Sequence, residues 1–326
     1  MSTLVVKLGI IGYRNHVERL VDILKKRKDC TIQHFYHPTK KINSPKFTND
    51  FSKLLSCDAI IIASPNSTHY AYIKKLVKNY TGYIFCEKPP VTSQSELRNL
   101  RNLNSKIKSK IFFNFNYRFS NFNKLFKKYI NSKKLGKIHY VNIISSHGLA
   151  FKKDYPSTWR ADGKNNLNNI LETVSIHFID LAISNFGNIS KSYNSSTLVS
   201  KKGTSFDTSC LILNHKNGVL TSILNSYAAP LIEELMIIGT NGYLTIRNNQ
   251  LTICSPRDTF DKKGFFSSPP VYQKKSFVMT KDYDDSLKKS MDFFISHVKN
   301  NKRLQLKNFE SSLDTNEILL KLKKKR

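Results

Sequence analysis

An α/β protein is predicted: a doubly wound parallel sheet at the N-terminal end, then an α+β domain with a large, mostly antiparallel open sheet. Three features of the 326-residue sequence point to this. Short β-rich runs alternate with amphipathic segments as far as about residue 118. Two of these runs, residues 59–62 and 83–85, are apolar throughout. From about residue 205, strand-like runs follow one another without an intervening helix. Alternation means parallel strands joined by right-handed crossovers, and continuously apolar strands mean a sheet covered on both faces. Consecutive strands mean antiparallel hairpins. The domains are therefore expected at 1–118 and 119–326.

In order, residues 5–11 read as a strand, and 17–27 as a helix whose Val17, Leu20, Val21 and Leu24 fall on one stripe. Residues 31–36 are a second strand and 50–55 the amphipathic, helix-like segment that follows it. Residues 58–63 and 68–78 are strand and helix again. After the 83–85 strand, Ser93-x-x-Glu96 forms a capping box for a helix to about residue 103, and 111–116 is one more strand. Beyond 120 come a helix at 121–130, a strand at 138–145, a polar irregular stretch to 169 and a helix at 171–184. Strands follow at 205–213, 218–227, 231–238, 243–247 and 250–254. With turn signals at Asn217-Gly218 and Asn241-Gly242, these read as an antiparallel meander. Helices at 285–299 and 309–323 close the chain, and no internal repeat or low-complexity linker interrupts it.

Hydrophobic residues make up 40% of the chain, enough to build cores. The net charge of +30 invites a polyanion partner, but the lysines run along the whole chain and only Lys321–Arg326 is a dense basic cluster. A solvated basic surface is the expected reading, with nucleic acid not favoured and a negatively charged small substrate compatible. Five scattered cysteines with no C-x-x-C pair fit reduced thiols in a cytoplasmic protein, with no metal site. No run is long enough to span a membrane.

The first strand ends in Gly9-Ile10-Ile11-Gly12-Tyr13-Arg14-Asn15-His16, where a dinucleotide-binding (Rossmann) fold places its glycine turn against a helix N-terminus. The full G-x-G-x-x-G is absent, so the stretch reads equally as a generic strand-to-helix turn. After the second strand, His37 with Lys40 and Lys41 stands where an acid would grip a ribose. This suits a 2′-phosphate, so NADP is as credible as NAD, and an ordinary basic turn is as credible as either. Ser64-Pro65-Asn66 and His69 follow the third strand, at the sheet edge where α/β ligands bind or simply at a helix start.

These pieces, with Cys86-Glu87-Lys88-Pro89, Asn116-Tyr117-Arg118-Phe119, Trp159-Arg160 and His177-Phe178-Ile179-Asp180 in order, resemble the glucose-fructose oxidoreductase, inositol dehydrogenase and rhizopine-catabolism (Gfo/Idh/MocA) family. The resemblance implies NAD or NADP held by Gly9, Gly12, Tyr13, Arg14, Asn15, His37, Ser64, Pro65, Asn66, His69, Glu87 and Lys88. It implies Lys88 at the substrate hydroxyl, directing proton transfer, with a Lys88–Pro89 bond that is often cis in the family. His177 is the implied second acid or base. Thr173 stands where the family usually carries an aspartate, and on an α-helix it shares a face with His177 and Asp180. Asn116, Tyr117, Arg118, Trp159 and Arg160 are further substrate candidates, the arginines for a carboxylate or phosphate or as surface ion pairs.

The implied activity is hydride transfer between nicotinamide and a hydroxyl or keto carbon of a sugar derivative, a nucleotide sugar of surface-polysaccharide synthesis among the candidates. A homodimer or tetramer through the C-terminal sheet is also implied. Two alternatives stay open: a catalytically degenerate nucleotide- or sugar-binding or assembly protein, and a polyanion binder on the same scaffold.

Overall fold

The computed structural model of the chain describes residues 5–12, 15–40, 43–130 and 132–324, Asn15 by its backbone alone. The chain divides into two compact units, Met1–Asn116 with Leu287–Leu320, and Tyr117–Ser286 with Lys321–Arg326.

In the first unit, strands β1 (Val6–Ile11), β2 (Cys30–Tyr36), β3 (Phe47–Thr48), β4 (Ala59–Ile62), β5 (Tyr83–Glu87) and β6 (Ile111–Asn114) form one sheet in the order β3-β2-β1-β4-β5-β6. Every pairing is parallel. Helices α1 (Asn15–Lys25), α2 (His69–Asn79), α3 (Gln94–Arg101) and the short α4 (Ser105–Lys108) connect it. The predicted stripe of α1 is the buried one: Val17, Leu20, Val21 and Leu24 are all inside. α3 starts on the predicted capping box, Ser93 and Glu96 each satisfying the other's backbone amide. The strand order reverses between β1 and β4, which is the point of such a sheet where a ligand crevice is expected at the carboxyl edge.

In the second unit, α5 (Asn121–Ile130) precedes β7 (Ile138–Ser146), and α6 (Ile176–Phe186) ends at Gly187, whose φ of 82° reverses the chain. Strands β8 (Ile189–Thr197), β9 (Thr208–His215), β10 (Leu220–Ser226), β11 (Ile232–Gly239), β12 (Tyr243–Arg247), β13 (Gln250–Cys254) and β14 (Val271–Ser276) follow. The eight-stranded sheet runs β14-β13-β12-β11-β7-β10-β9-β8. The expected meander is therefore interrupted: β7 sits between β10 and β11, parallel to β10 and antiparallel to β11. Val141, Ile143, Ile223, Leu235 and Ile237 make the buried face.

The last two helices depart from the expected boundary. Of α7 (Met279–Lys299), residues from Leu287 onward belong to the first unit, as does α8 (Leu306–Leu322) as far as Leu320. The cause is aromatic packing. Phe294 lies 5.3 Å from Phe85 and 5.9 Å from Phe112, ring centre to ring centre, and Phe309 lies 5.3 Å from Phe113. Truncating a phenylalanine buried this way costs about 3–5 kcal/mol. The first unit is thus closed by chain that the sequence pattern assigned to the second. No described helix is long and apolar enough to cross a membrane.

Candidate functional site

In the first unit, the crevice at the strand reversal is lined by the exits of β1 and β4. Gly12 has φ of +123°, and a Cβ there would stand 2.6 Å from the Ala63 carbonyl oxygen, so glycine lets the two exits touch. Gly9 differs from expectation. It lies within β1, and its missing Cβ makes room for Leu54 Cδ2 (2.7 Å) and Cys57 Sγ (3.3 Å), so its role is core packing. Tyr13 and Arg14 lie outside the described residues, as does the side chain of Asn15.

At the end of β2, His37 Nδ1 accepts from the amides of Thr39 (3.2 Å) and Lys40 (3.0 Å), which folds the basic turn around the ring. Lys41 is outside the described residues. After β4, Ser64 Oγ meets Thr68 Oγ1 at 2.7 Å, and Pro65 with Asn66 opens the turn into α2. His69 is fully buried, with Nδ1 2.8 Å from the Pro89 carbonyl and Nε2 2.9 Å from that of Ser64. Both ring nitrogens face backbone, so His69 braces two loops and offers no ring nitrogen to a ligand. Burial, the largest influence, pushes its pKa down against those two hydrogen bonds.

Glu87 closes β5 and is 6% exposed. His16 Nε2, from α1, lies 2.9 Å from Glu87 Oε1, and Asn114 Nδ2 donates to the same oxygen at 2.8 Å. Ser290 Oγ in turn donates to Asn114 Oδ1 at 2.8 Å. Burial alone would raise the Glu87 carboxyl, but His16, Asn114 and the neighbouring Lys88 together hold it below the ordinary range. A fixed carboxylate thus joins β5, β6 and the first turn of α1. The Lys88–Pro89 peptide bond is cis, as expected, and Lys88 is partly exposed beside this network. With the glycine turn and the N-terminal end of α1 in the same crevice, the residues present fit a dinucleotide. Asn116 is buried at the unit's edge.

In the second unit, Arg118 is an ion-pairing residue, and the pair is half-buried: Nε donates to Asp180 Oδ2 at 2.8 Å, a second guanidinium nitrogen donates to Oδ1, and Asp180 is 1% exposed while Arg118 is partly exposed. Its rigid fork makes it a brace between the residues before α5 and α6. The Tyr117 ring meets the ring of His177 edge-on at 5.2 Å, and burial raises the Tyr117 phenol well above its usual range.

The segment Leu171–Ser175 is a π-helical turn ahead of α6, in place of the regular α-helix expected, and such wide turns recur at functional sites. His177 remains on the segment's second turn, 7% exposed. Thr173 Oγ1 donates to the Asn169 carbonyl at 2.7 Å and meets the Tyr227 hydroxyl. Glu172 is turned away, bound by Asn166 and Lys323 at 2.7 Å each. Trp159 is 46% exposed, and Arg160 stacks on it with its guanidinium carbon 4.5 Å from the ring centre.

Tyr227 and His147 were not singled out by sequence reasoning. β7 and β10 run parallel, so the residues that follow them emerge at one sheet edge, where the His147 and Tyr227 rings stack 5.2 Å apart. An aromatic or imidazole side chain immediately after each strand was the available signal. Among the described residues no group of three or more His, Cys, Asp or Glu is placed to hold a metal ion.

Comparison with known proteins agrees with this geometry. Residues 6–115 match the family described as "Oxidoreductase family, NAD-binding Rossmann fold", and residues 124–245 match the "GFO/IDH/MocA C-terminal domain". The chain is 25% identical over 248 residues to inositol 2-dehydrogenase of Rhizobium meliloti (strain 1021), covering 74% of this chain and 70% of that protein. It is 32% identical over 117 residues to YteT of Bacillus subtilis (strain 168), but this match spans 33% of the chain and only 27% of the relative's length. The crystal structure of an oxidoreductase from Agrobacterium radiobacter in complex with NAD+, L-tartaric acid and magnesium superimposes with a TM-score of 0.76 at 17% identity, covering 96% of this chain and 94% of that one, so the fold is shared. With both of its domains matched in order, the chain belongs to the Gfo/Idh/MocA family of oxidoreductases, whose N-terminal domain is an NAD-binding Rossmann fold.

Proposed function

We propose that this protein is an NAD(P)-dependent dehydrogenase or reductase acting on a hydroxyl or keto carbon of a sugar derivative, a nucleotide sugar of surface-polysaccharide synthesis being one such substrate. The observation that carries the reading is the anchoring of Lys88. The residue before it is held by His16 and Asn114, and the carbonyl of Pro89 after it is held by His69. A Lys88 side chain on so fixed a backbone can hold a substrate hydroxyl in one orientation, taking its proton as the neutral amine or returning it as the ammonium. Bound cofactor supplies the hydride chemistry. Gly12, α1 and the 64–66 turn would hold the dinucleotide, with Glu87 beside its reactive end. Within the second unit, His177 is the proposed second acid or base and Thr173 the proposed contact to a substrate oxygen. The chain acts in the cytoplasm as a homodimer or tetramer formed through the eight-stranded sheet.

Fluorescence titration with NADH and NADPH tests the reading. Saturable binding of either supports it, and binding of neither refutes it. With a turned-over sugar in hand, Lys88→Met lowers kcat by about 10²–10⁴-fold, a far larger factor than its loss of cofactor affinity. Equal loss of both would remove Lys88 from the chemistry.

A further inference from the structure

The second unit carries a polar site built around an arginine. Its floor is Tyr227, 2% exposed and fixed by backbone bonds: its amide donates to the Asp207 carbonyl at 2.8 Å, and its own carbonyl accepts from Ala150 at 2.8 Å. Around the Tyr227 hydroxyl stand Thr173, the stacked His147 ring, and Arg160, close enough to hydrogen-bond to it and act on it by its charge. Thr173, His147 and Arg160 are each partly exposed, so the site opens to solvent.

Two buried groups behind it lack partners among the described residues. Asn169 Nδ2 belongs to a fully buried residue whose Oδ1 lies 3.4 Å from Thr173 Oγ1, and the hydroxyl of Tyr155, 1% exposed, belongs to a ring 6.4 Å from that of Tyr227. Buried polar groups without partners are rare.

The nearby acids are engaged elsewhere. Both oxygens of Asp207 accept from backbone amides, of Val199 and Ser200 at 2.9 Å each, and Glu172 is held by Lys323 and Asn166. No described carboxylate pairs with Arg160, while Lys152 adds positive charge at His147. Burial, then the charge of Arg160, pushes the His147 imidazole down, so it presents a neutral edge.

We infer that Arg160, Thr173, His147 and the Tyr227 hydroxyl form a subsite for an anionic oxygen group on the substrate, a carboxylate or a phosphate. This rests on the dehydrogenase reading and adds the class of substrate: an acidic sugar. Arg160 supplies the countercharge and a forked donor and the neutral His147 ring one N–H, while Thr173 and Tyr227, whose hydroxyl protons go to the Asn169 carbonyl and to Thr173, form the wall that positions the guanidinium, and the Trp159 face keeps it in place.

The test is calorimetric titration of the whole protein with D-glucuronate, glucose 6-phosphate and glucose, alongside a separate NADH titration. At least one acidic sugar should bind about tenfold or more tightly than glucose, as expected for one charge-assisted contact. Which one does so distinguishes carboxylate from phosphate. Arg160→Gln should bring that preference to parity, and Thr173→Asp should abolish it by placing a fixed carboxylate in the subsite. Equal affinity of all three sugars for the unaltered protein, no measurable binding of any, or a preference that survives Arg160→Gln would each overturn the inference. If NADH binds while the acidic sugars show no preference, only the subsite is lost. If acidic sugars bind in an Arg160-dependent way while neither NADH nor NADPH does, the dehydrogenase reading fails instead.

Discussion

Replacing Gly12 with alanine tests whether the crevice depends on contact between two strand exits. A Cβ at this position would meet two backbone atoms, the Ala63 oxygen at 2.6 Å and the Ala63 carbon at 2.8 Å, and neither belongs to a side chain that can rotate away. The residue also holds φ at +123°, where an L-residue is strained by about 1–3 kcal/mol. Overpacking against a fixed neighbour adds a cost of similar size, about 1–3 kcal/mol. The expected total, about 2–6 kcal/mol, appears either as lost stability or, if the exits separate to relieve it, as a distorted crevice. Gly9→Ala is the matched control. Its Cβ would meet Leu54 Cδ2 at 2.7 Å, the far end of a buried but rotatable side chain, away from the crevice. Urea unfolding and NADH titration are run on both variants. Gly12→Ala should weaken NADH binding about tenfold or more in the protein that remains folded, whereas Gly9→Ala should lower stability by about 1–3 kcal/mol and leave NADH affinity unchanged. Unaltered stability together with unaltered NADH affinity in Gly12→Ala would refute the reasoning.

Two further outcomes follow from the ion pairs. Arg118→Met and Asp180→Asn should each cost about 1–3 kcal/mol in chemical unfolding, and the double variant less than their sum, because both single changes break the same two-pronged pair. Additive costs would show that the pair does not act as a unit. Glu87 has its folded-state pKa held below the ordinary glutamate value of about 4.3, so its contribution to stability is present above that pH and is lost as pH falls through the lowered folded value. Glu87→Gln should therefore flatten the acid limb of stability against pH, measured by urea unfolding from neutrality downward. An unchanged limb would contradict the role given to His16 and Asn114.

The parallel sheet was legible because its strands are buried on both faces and so appear as unbroken apolar runs. β8 and β14 were not, since Ile189–Thr197 and Val271–Ser276 are the two outer strands of the larger sheet. Each has one neighbour and little burial, so their sequences, ISKSYNSST and VYQKKS, carry no apolar alternation. The insertion of β7 between β10 and β11 joins residues far apart in sequence, and nothing local encodes it. The amphipathic faces of α7 and α8 announced burial without saying against which sheet. At the candidate site, Lys88 and its proline were readable as a dipeptide motif. Arg118 read as a substrate or surface group because its partner lies 62 residues away, and the π-helical turn at Leu171–Ser175 left no mark in apolar spacing.

The order of synthesis gives the closing helices a further meaning. A ribosome makes β1 through β6 first, and residues 117–286 must all be added before Phe294 exists to cover Phe85 and Phe112. During that interval the nascent Rossmann layer presents an apolar face that invites chaperone capture or a wrong partner. A nonsense codon between residues 287 and 309 would accordingly injure the nucleotide-binding end of the polypeptide, although the lesion in the gene lies far downstream of it.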